Sequence, residues 1–218
     1  MSKAIVLLSG GLDSTTALYW AKARGYAPIG LAVLYGQRHA KELKAARAVA
    51  RRAGVPLHEV TLRLPWLAGS SLTNKALRLP DLPLAKIGAG GVPSTYVPGR
   101  NTMFLSLAAS LADAAGADAV VIGANALDYS GYPDCRPAFT RSFERTARAG
   151  TRRTKLKVLA PLLRLDKAGI VRLARKVGAP LELTWSCYAG TPRPCGRCDS
   201  CKLRAKGFRE AGRPDPAL

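Results

Sequence analysis

An apolar run over residues 4–8 ends in Ser9-Gly10-Gly11-Leu12-Asp13-Ser14-Thr15-Thr16, and a helical spacing of Thr16, Ala17, Leu18, Trp20 and Ala21 follows until Gly25. Strand, tight loop and helix in that order constrain the fold more than any other stretch. The two glycines let the backbone turn and approach a ligand closely. Ser9, Ser14 and Thr15 offer hydroxyls, and the helix start presents unpaired N–H groups and the positive end of its dipole. A phosphate group suits such a place. The run lacks the Gly-Lys-Ser/Thr ending of a Walker loop and the G-x-G-x-x-G spacing of a dinucleotide fold. The plainer alternative is a turn in which Asp13 or Ser14 merely caps the helix.

A second apolar run over 28–34 turns at Tyr35-Gly36 into a Lys/Arg/Ala-rich helix over about 39–53, closed by Gly54, and residues 57–62 alternate as a third strand. Pro80, Pro83, Pro93 and Pro98, with a glycine cluster at 88–91, break the rhythm. Residues 65–98 are therefore expected as an insertion over the sheet edge or the site, ordered in part by ligand. The rhythm resumes with a helix over about 101–115, a strand over 119–122, a helix near 137–149, an extended 156–159, and a helix over 166–177 that Asp166 caps and Gly178 stops. Apolar runs separated by helical patterns predict a doubly wound parallel α/β sheet that binds ligands at the carboxyl ends of its strands. The expected division is a catalytic domain over 1–183 and a cysteine-rich unit over 184–218 with a last helix near 200–211.

With 48% hydrophobic and 22% charged residues the chain has a globular rather than a disordered profile. No run of about 18 apolar residues and no signal-peptide pattern occur, so a cytoplasmic protein without a membrane partner is expected. The 34 Lys+Arg against 14 Asp+Glu give a net charge of +20, which invites phosphate binding. Yet the basic residues are scattered, and 6% aromatic residues leave few platforms for stacking single strands, whereas anionic small substrates suit the same surface.

Four of the five cysteines lie between Cys187 and Cys201, and clustered thiols of this kind read as metal ligands rather than as a disulfide framework. Four thiolates close a tetrahedral site with no open position, so the metal's work is structural, and either zinc or iron–sulfur chemistry suits the ligands. Cys135 stands apart and reads as a buried structural thiol in preference to a nucleophile. His58 falls inside the third strand, whereas His39 follows the second strand and reads equally as a ligand contact or a helix-start polar residue.

The Ser9–Ser14 loop matches the pyrophosphate loop of the ATP pyrophosphatase (PP-loop) superfamily. Further segments occur in order: Tyr35-Gly36-Gln37-Arg38-His39, Ser70-Ser71-Leu72-Thr73, Val97-Pro98-Gly99-Arg100-Asn101, Ser130-Gly131-Tyr132-Pro133-Asp134-Cys135-Arg136-Pro137, Ser186-Cys187-Tyr188 and Pro194-Cys195-Gly196-Arg197-Cys198-Asp199-Ser200-Cys201. Together they resemble the signatures of the 7-cyano-7-deazaguanine synthase family over residues 3–216, least closely over 79–91. The resemblance implies an adenine nucleotide alpha hydrolase-like, Rossmann-type fold with a small C-terminal zinc-binding subdomain. It implies an ATP-dependent ligase of queuosine biosynthesis that converts 7-carboxy-7-deazaguanine and ammonia, through an adenylated acid and an amide, to the nitrile. ATP with Mg2+ is then a co-substrate, contacted by Leu8, Ser9, Gly10, Gly11, Leu12, Asp13, Ser14, Thr15, Thr16, Ala17 and Leu18, with Ser9, Asp13 and Ser14 at the chemistry. One structural zinc on Cys187, Cys195, Cys198 and Cys201, a homodimer and no stable nucleic-acid partner are implied as well.

A 7-deazaguanine presents N1–H and a 2-amino group, which pair with one carboxylate accepting two hydrogen bonds. Asp128 and Asp134 are the candidates. They flank Tyr129 and Tyr132, which suit stacking, while Arg100 or Arg136 suits the 7-carboxylate, with Asn101 beside Arg100. The plainer alternative for this segment is a Gly-Pro turn with solvated polar groups. Lys155, Lys157 and Arg164 are further cations near the expected strand ends, though most surface basic residues are simply solvated. The competing class is a tRNA-modifying enzyme of the same superfamily, a thiolase or lysidine-type ligase, which the charge favours and which strongly salt-dependent tRNA binding would reveal.

Overall fold

A computed structural model describes residues 1–38, 41–125 and 131–217. Strands β1 (Lys3–Leu7), β2 (Ala27–Leu34), β3 (Leu57–Thr61), β4 (Ala119–Val121) and β5 (Lys157–Leu159) form one sheet in the order β3-β2-β1-β4-β5. All neighbours are parallel, with Ile5 opposite both Ile29 and Val120. The chain winds outward from β1 through β2 to β3 and then returns past β1 to β4. That reversal opens a crevice at the carboxyl ends of β1 and β4.

The central strand divides the core. Ala4, Val6 and Leu8 face helices α1 (Leu12–Ala23), α2 (Lys41–Ala53) and α5 (Lys167–Lys176), while Ile5 and Leu7 face α3 (Arg100–Ala115) and α4 (Pro137–Gly150). Alternate residues of a strand point to opposite faces, so a strand segment buried on both sides is apolar throughout, as β1 is from Ala4 onward. Each fully buried Leu or Ile adds about 1.5–3 kcal/mol of apolar transfer energy. At the start of α5 the Asp166 carboxylate accepts the Gly169 N–H at 2.7 Å, the cap expected from the sequence. The expected helix over 39–53 is present from Lys41, and its first two positions lie outside the described residues.

The insertion over 65–98 contains two short 3-10 turns, Pro65–Gly69 and Leu84–Lys86. It is fastened to helix α6 (Asp199–Glu210): the Leu82 N–H donates to Asp199 Oδ1 at 2.8 Å, and the Lys202 ammonium donates to the Leu82 carbonyl at 2.8 Å. Helix α6 in turn lies on α5, where a Cβ on Gly207 would stand 2.6 Å from Lys167 Cβ, and its Phe208 enters the main core. The buried Arg204 guanidinium grips Asp215 through two bonds of 2.6 and 2.8 Å and donates to Thr184 Oγ1 at 2.8 Å. Among the described residues no helix is long and apolar enough to cross a membrane.

Candidate nucleotide and substrate site

The loop after β1 is shaped by close approach. Gly10 has φ +84, and a Cβ there would stand 2.3 Å from the Ala46 nitrogen and 2.5 Å from the Glu42 carbonyl, so the loop rests directly on α2. From the other side Gly123, just past β4, packs so tightly that its Cβ would lie 3.1 Å from Asp13 C and Ser14 N. Ser14 Oγ accepts the Ser9 N–H at 3.2 Å and lies 3.0 Å from Ser9 Oγ. The loop is thus closed on itself at the switch point of the sheet, ahead of the amino end of α1.

Asp13 is held from two distant elements. Its Oδ2 accepts the Lys167 ammonium at 2.6 Å and the Asn125 amide at 3.0 Å, whereas Oδ1 is buried with no hydrogen-bond partner among the described residues. A buried carboxylate oxygen in that state is an acceptor that a bound ligand would satisfy.

Two chambers meet at this loop and share Ser9, Asp13, Ser14, Glu42 and Tyr188 in their walls. The larger, about 260 Å³, runs under the ends of β1, β2 and β4 between Leu31, Tyr35, Arg100, Asn101, Phe104 and Tyr132. The smaller, about 120 Å³, is polar and adds Gly11, Lys167, Ser186, Ser200 and Arg204. Burial pushes the Glu42 carboxyl up to about 7 against the pull of the Arg100 charge. Burial also raises the Tyr35 phenol, whose oxygen accepts Arg100 Nη1 at 3.5 Å.

The substrate candidates divide in the structure. Arg100, Asn101 and Tyr132 line the larger chamber. Asp134 is buried beside it, where Oδ2 accepts the Asn101 N–H at 2.8 Å and so caps the first turn of α3; its side chain is not part of the chamber wall. Arg136 is exposed ahead of α4. Lys155, Lys157 and Arg164 line neither chamber. Asp128, Tyr129 and His39 lie outside the described residues, and His58 is exposed on β3. Cys135 is buried, as a structural thiol would be, yet its sulfur accepts the Asn101 amide at 3.1 Å within the chamber wall.

Sequence reasoning gave no role to Glu42, Lys167 or Asn125. The signal for Asn125 and Glu42 was positional, since each closely follows a strand end that faces the crevice. Lys167 carried no local signal, because the ion pair depends on how α5 packs against α1.

Cys187, Cys195, Cys198 and Cys201 converge with their Sγ atoms all within 4.8 Å of one another, and Cys195 and Cys201 are 4.0 Å apart. A single tetrahedral ion with metal–sulfur bonds of about 2.3 Å sets its ligands about 3.8 Å apart, so the cage is the size of one ion. The Ala189 and Cys195 N–H groups donate to Cys187 Sγ at 3.4 and 3.3 Å, which supports thiolate charge. A hydrogen bond from Cys201 holds the Cys198 thiol well below the ordinary thiol range. The Trp185 backbone N–H donates to the Gly10 carbonyl at 3.0 Å and its indole N–H to the Cys187 carbonyl at 2.8 Å, so Trp185 ties this cage to the loop.

The parallel sheet, the closed Ser-Gly-Gly-Leu-Asp-Ser loop and the double chamber define a nucleotide-binding α/β protein of the PP-loop type. The chain belongs to the queuosine biosynthesis protein QueC family, whose family model matches residues 3–212. It is 51% identical over 222 residues to a 7-cyano-7-deazaguanine synthase of Anaeromyxobacter sp. (strain Fw109-5), covering 99% of this chain and 95% of that protein. It is 52% identical over 223 residues to a 7-cyano-7-deazaguanine synthase of Myxococcus xanthus (strain DK1622), covering 99% and 96%. Among solved structures, NMN synthetase from Francisella tularensis shares the fold, with a TM-score of 0.52 at 14% identity over 98% of this chain and 78% of that one.

Proposed function

We propose that the protein is an ATP-dependent ligase that turns 7-carboxy-7-deazaguanine and ammonia into 7-cyano-7-deazaguanine for queuosine synthesis. The observation that carries this reading is the pair of chambers meeting at the Ser9–Ser14 loop. The smaller suits pyrophosphate, with the loop, Lys167, Ser186 and Ser200 around it, and the larger suits the adenylate and the deazapurine acid. Arg100 is the cation for the 7-carboxylate, Tyr132 a wall for the ring, and Asp128 or Asp134 the carboxylate for N1–H and the 2-amino group.

The carboxylate oxygen attacks the α-phosphorus of ATP, and pyrophosphate leaves into the loop. Charge developing on the leaving group meets prearranged N–H groups, hydroxyls and the Lys167 ammonium, the arrangement from which most acceleration comes in phosphoryl and acyl transfer. Ammonia then displaces AMP to give the amide. A second ATP adenylates the amide oxygen, and loss of AMP leaves the nitrile. Mg2+ enters on the phosphates of ATP as part of that co-substrate and offsets their charge. One zinc on Cys187, Cys195, Cys198 and Cys201 would hold residues 184–218 against the catalytic body of residues 1–183, a structural task. The protein is proposed to act in the cytoplasm as a homodimer.

The test is incubation of the metal-loaded protein with 7-carboxy-7-deazaguanine, MgATP and ammonium, followed by mass spectrometry of the base. Amide and then nitrile are expected, with AMP as the nucleotide product. No turnover of the acid, together with tight, salt-dependent tRNA binding, would overturn the reading in favour of a tRNA-modifying enzyme.

A further inference from the structure

Glu42 stands where the two chambers meet, lining both. Among the described residues of these walls only Asp13 and Glu42 carry carboxylates, and Asp13 is already engaged by Lys167 and Asn125. Glu42 has no such engagement: among the described residues no cationic nitrogen lies within 4.0 Å of its oxygens. Its backbone is nonetheless firmly placed. The Gly10 turn rests on the Glu42 carbonyl, and the preceding Lys41 bonds the Thr191 carbonyl and sits 4.4 Å over the Trp185 ring.

If the smaller chamber takes pyrophosphate and the larger the adenylate, the reacting phosphorus and acyl carbon lie at their junction. The first half of the ligase sequence must there remove one proton from nitrogen, and the second half two. We propose that Glu42 is the general base of both nitrogen steps, an inference that rests on the ligase reading above. In the first, ammonia adds to the acyl carbon of the adenylate, the new cationic nitrogen gives one proton to Glu42, and the carbon–oxygen bond breaks to release AMP. In the second, the amide nitrogen loses its first proton to solvent as its oxygen is adenylated, and the neutral O-adenylated imidate then gives its remaining N–H proton to Glu42 as the carbon–oxygen bond to AMP breaks and the third carbon–nitrogen bond forms. Glu42, partly open to solvent, returns its proton between rounds.

Among the described residues, Arg38 and Tyr35 after β2, Arg100 from α3, Tyr132 and Cys135 ahead of α4, Asp13 from the start of α1, Lys167 from α5, Arg204 from α6 and Tyr188 from the cysteine unit are the other charged or titratable groups lining these chambers. Burial sets the Glu42 carboxyl near neutrality, where a base works with greatest efficiency at cellular pH.

The experiment compares Glu42→Gln with the parent protein in two assays of the full, metal-loaded chain. One is acid-dependent exchange between ATP and labelled pyrophosphate, a half-reaction that moves no nitrogen proton. The other is conversion of the supplied amide to nitrile, which consumes no ammonia and so isolates the base from ammonium titration. Loss of a general base predicts that nitrile formation falls on the order of 100-fold to 10,000-fold, far more than exchange. It also predicts that the rise of nitrile formation with pH toward a plateau above about 7 disappears. Glu42→Asp, which keeps a carboxylate, should retain that rise at a lower rate, and it serves in place of Glu42→Gln if the latter does not fold. Equal loss of exchange and nitrile formation with a raised Mg2+ requirement would assign Glu42 to the phosphates or their cation and overturn the proposal. Unaltered nitrile formation would overturn it too, whereas absence of acid-dependent exchange in the parent protein would overturn the ligase reading itself.

Discussion

Lys167 Nζ lies 2.6 Å from Asp13 Oδ2, joining the first turn of α5 to the first turn of α1 across 154 positions of chain. Both side chains are mostly shielded, at 16% and 23% exposure, so replacing the lysine leaves a carboxylate without its counter-charge beside the polar chamber. Hydrogen bonds to charged groups contribute about 1.5–3 kcal/mol. Lys167→Met should therefore lower kcat/KM for ATP by about 10-fold to 100-fold in the pyrophosphate-exchange assay. An unchanged value would place Lys167 outside ATP recognition.

Asp134 serves α3 through the Asn101 N–H at 2.8 Å. Removing a helix-capping acceptor costs about 1 kcal/mol, and Asn keeps an acceptor where Ala does not. Thermal denaturation should show Asp134→Ala lowering Tm by several degrees and Asp134→Asn by less. If both also raise KM for the acid by 10-fold or more, the other oxygen of Asp134 reads the base; if neither does, Asp128 is the reader.

The cysteine cage is coupled to the nucleotide loop through the Trp185 N–H on the Gly10 carbonyl, and Ser186, Tyr188, Ser200 and Arg204 of the same unit line the smaller chamber. Elemental analysis should find one zinc per chain. Chelation under denaturant-free conditions, or Cys198→Ser, should lower ATP affinity as well as stability. Metal removal that leaves ATP affinity unchanged would contradict this coupling, and iron in place of zinc would overturn the zinc assignment.

Glu42 links stability to pH. Its carboxyl is raised from 4.5 to about 7 in the folded protein, so between those values the folded state binds more protons than the unfolded state and stability falls as pH rises. The penalty is complete above about 7 and on the order of 3 kcal/mol at most, reduced by the solvent that still reaches the group. Glu42→Gln, which carries no charge, should gain stability relative to the parent as pH is raised from 5 to 8 in urea titrations. A constant difference across that range would show that Glu42 titrates near its ordinary value.

The strand–loop–helix start and the clustered cysteines were readable because each is local: apolar runs, glycines and short cysteine spacings encode their geometry within a few residues. The parallel sheet followed from the alternation of runs and helices, and element ends came within a few positions, as with Asp166 capping α5. The insertion was readable as irregular, while its bonds to Asp199 and Lys202 were not, because they join segments more than a hundred positions apart. The same limit hid Lys167 and Asn125, whose roles arise only when α5 and the end of β4 converge on Asp13. Asp134 had the right charge in the right segment, but its hydrogen bond to Asn101 appears only in three dimensions.

The central claim is that oxygen of the acid, and then of the amide, attacks the α-phosphorus at the Ser9–Ser14 loop. It is tested most directly with 7-carboxy-7-deazaguanine labelled with 18O at both carboxylate oxygens, incubated with MgATP and ammonium. Two AMP molecules per nitrile, each carrying one 18O on phosphorus, are predicted. Unlabelled AMP, or ADP in place of AMP, would contradict adenylation at either step.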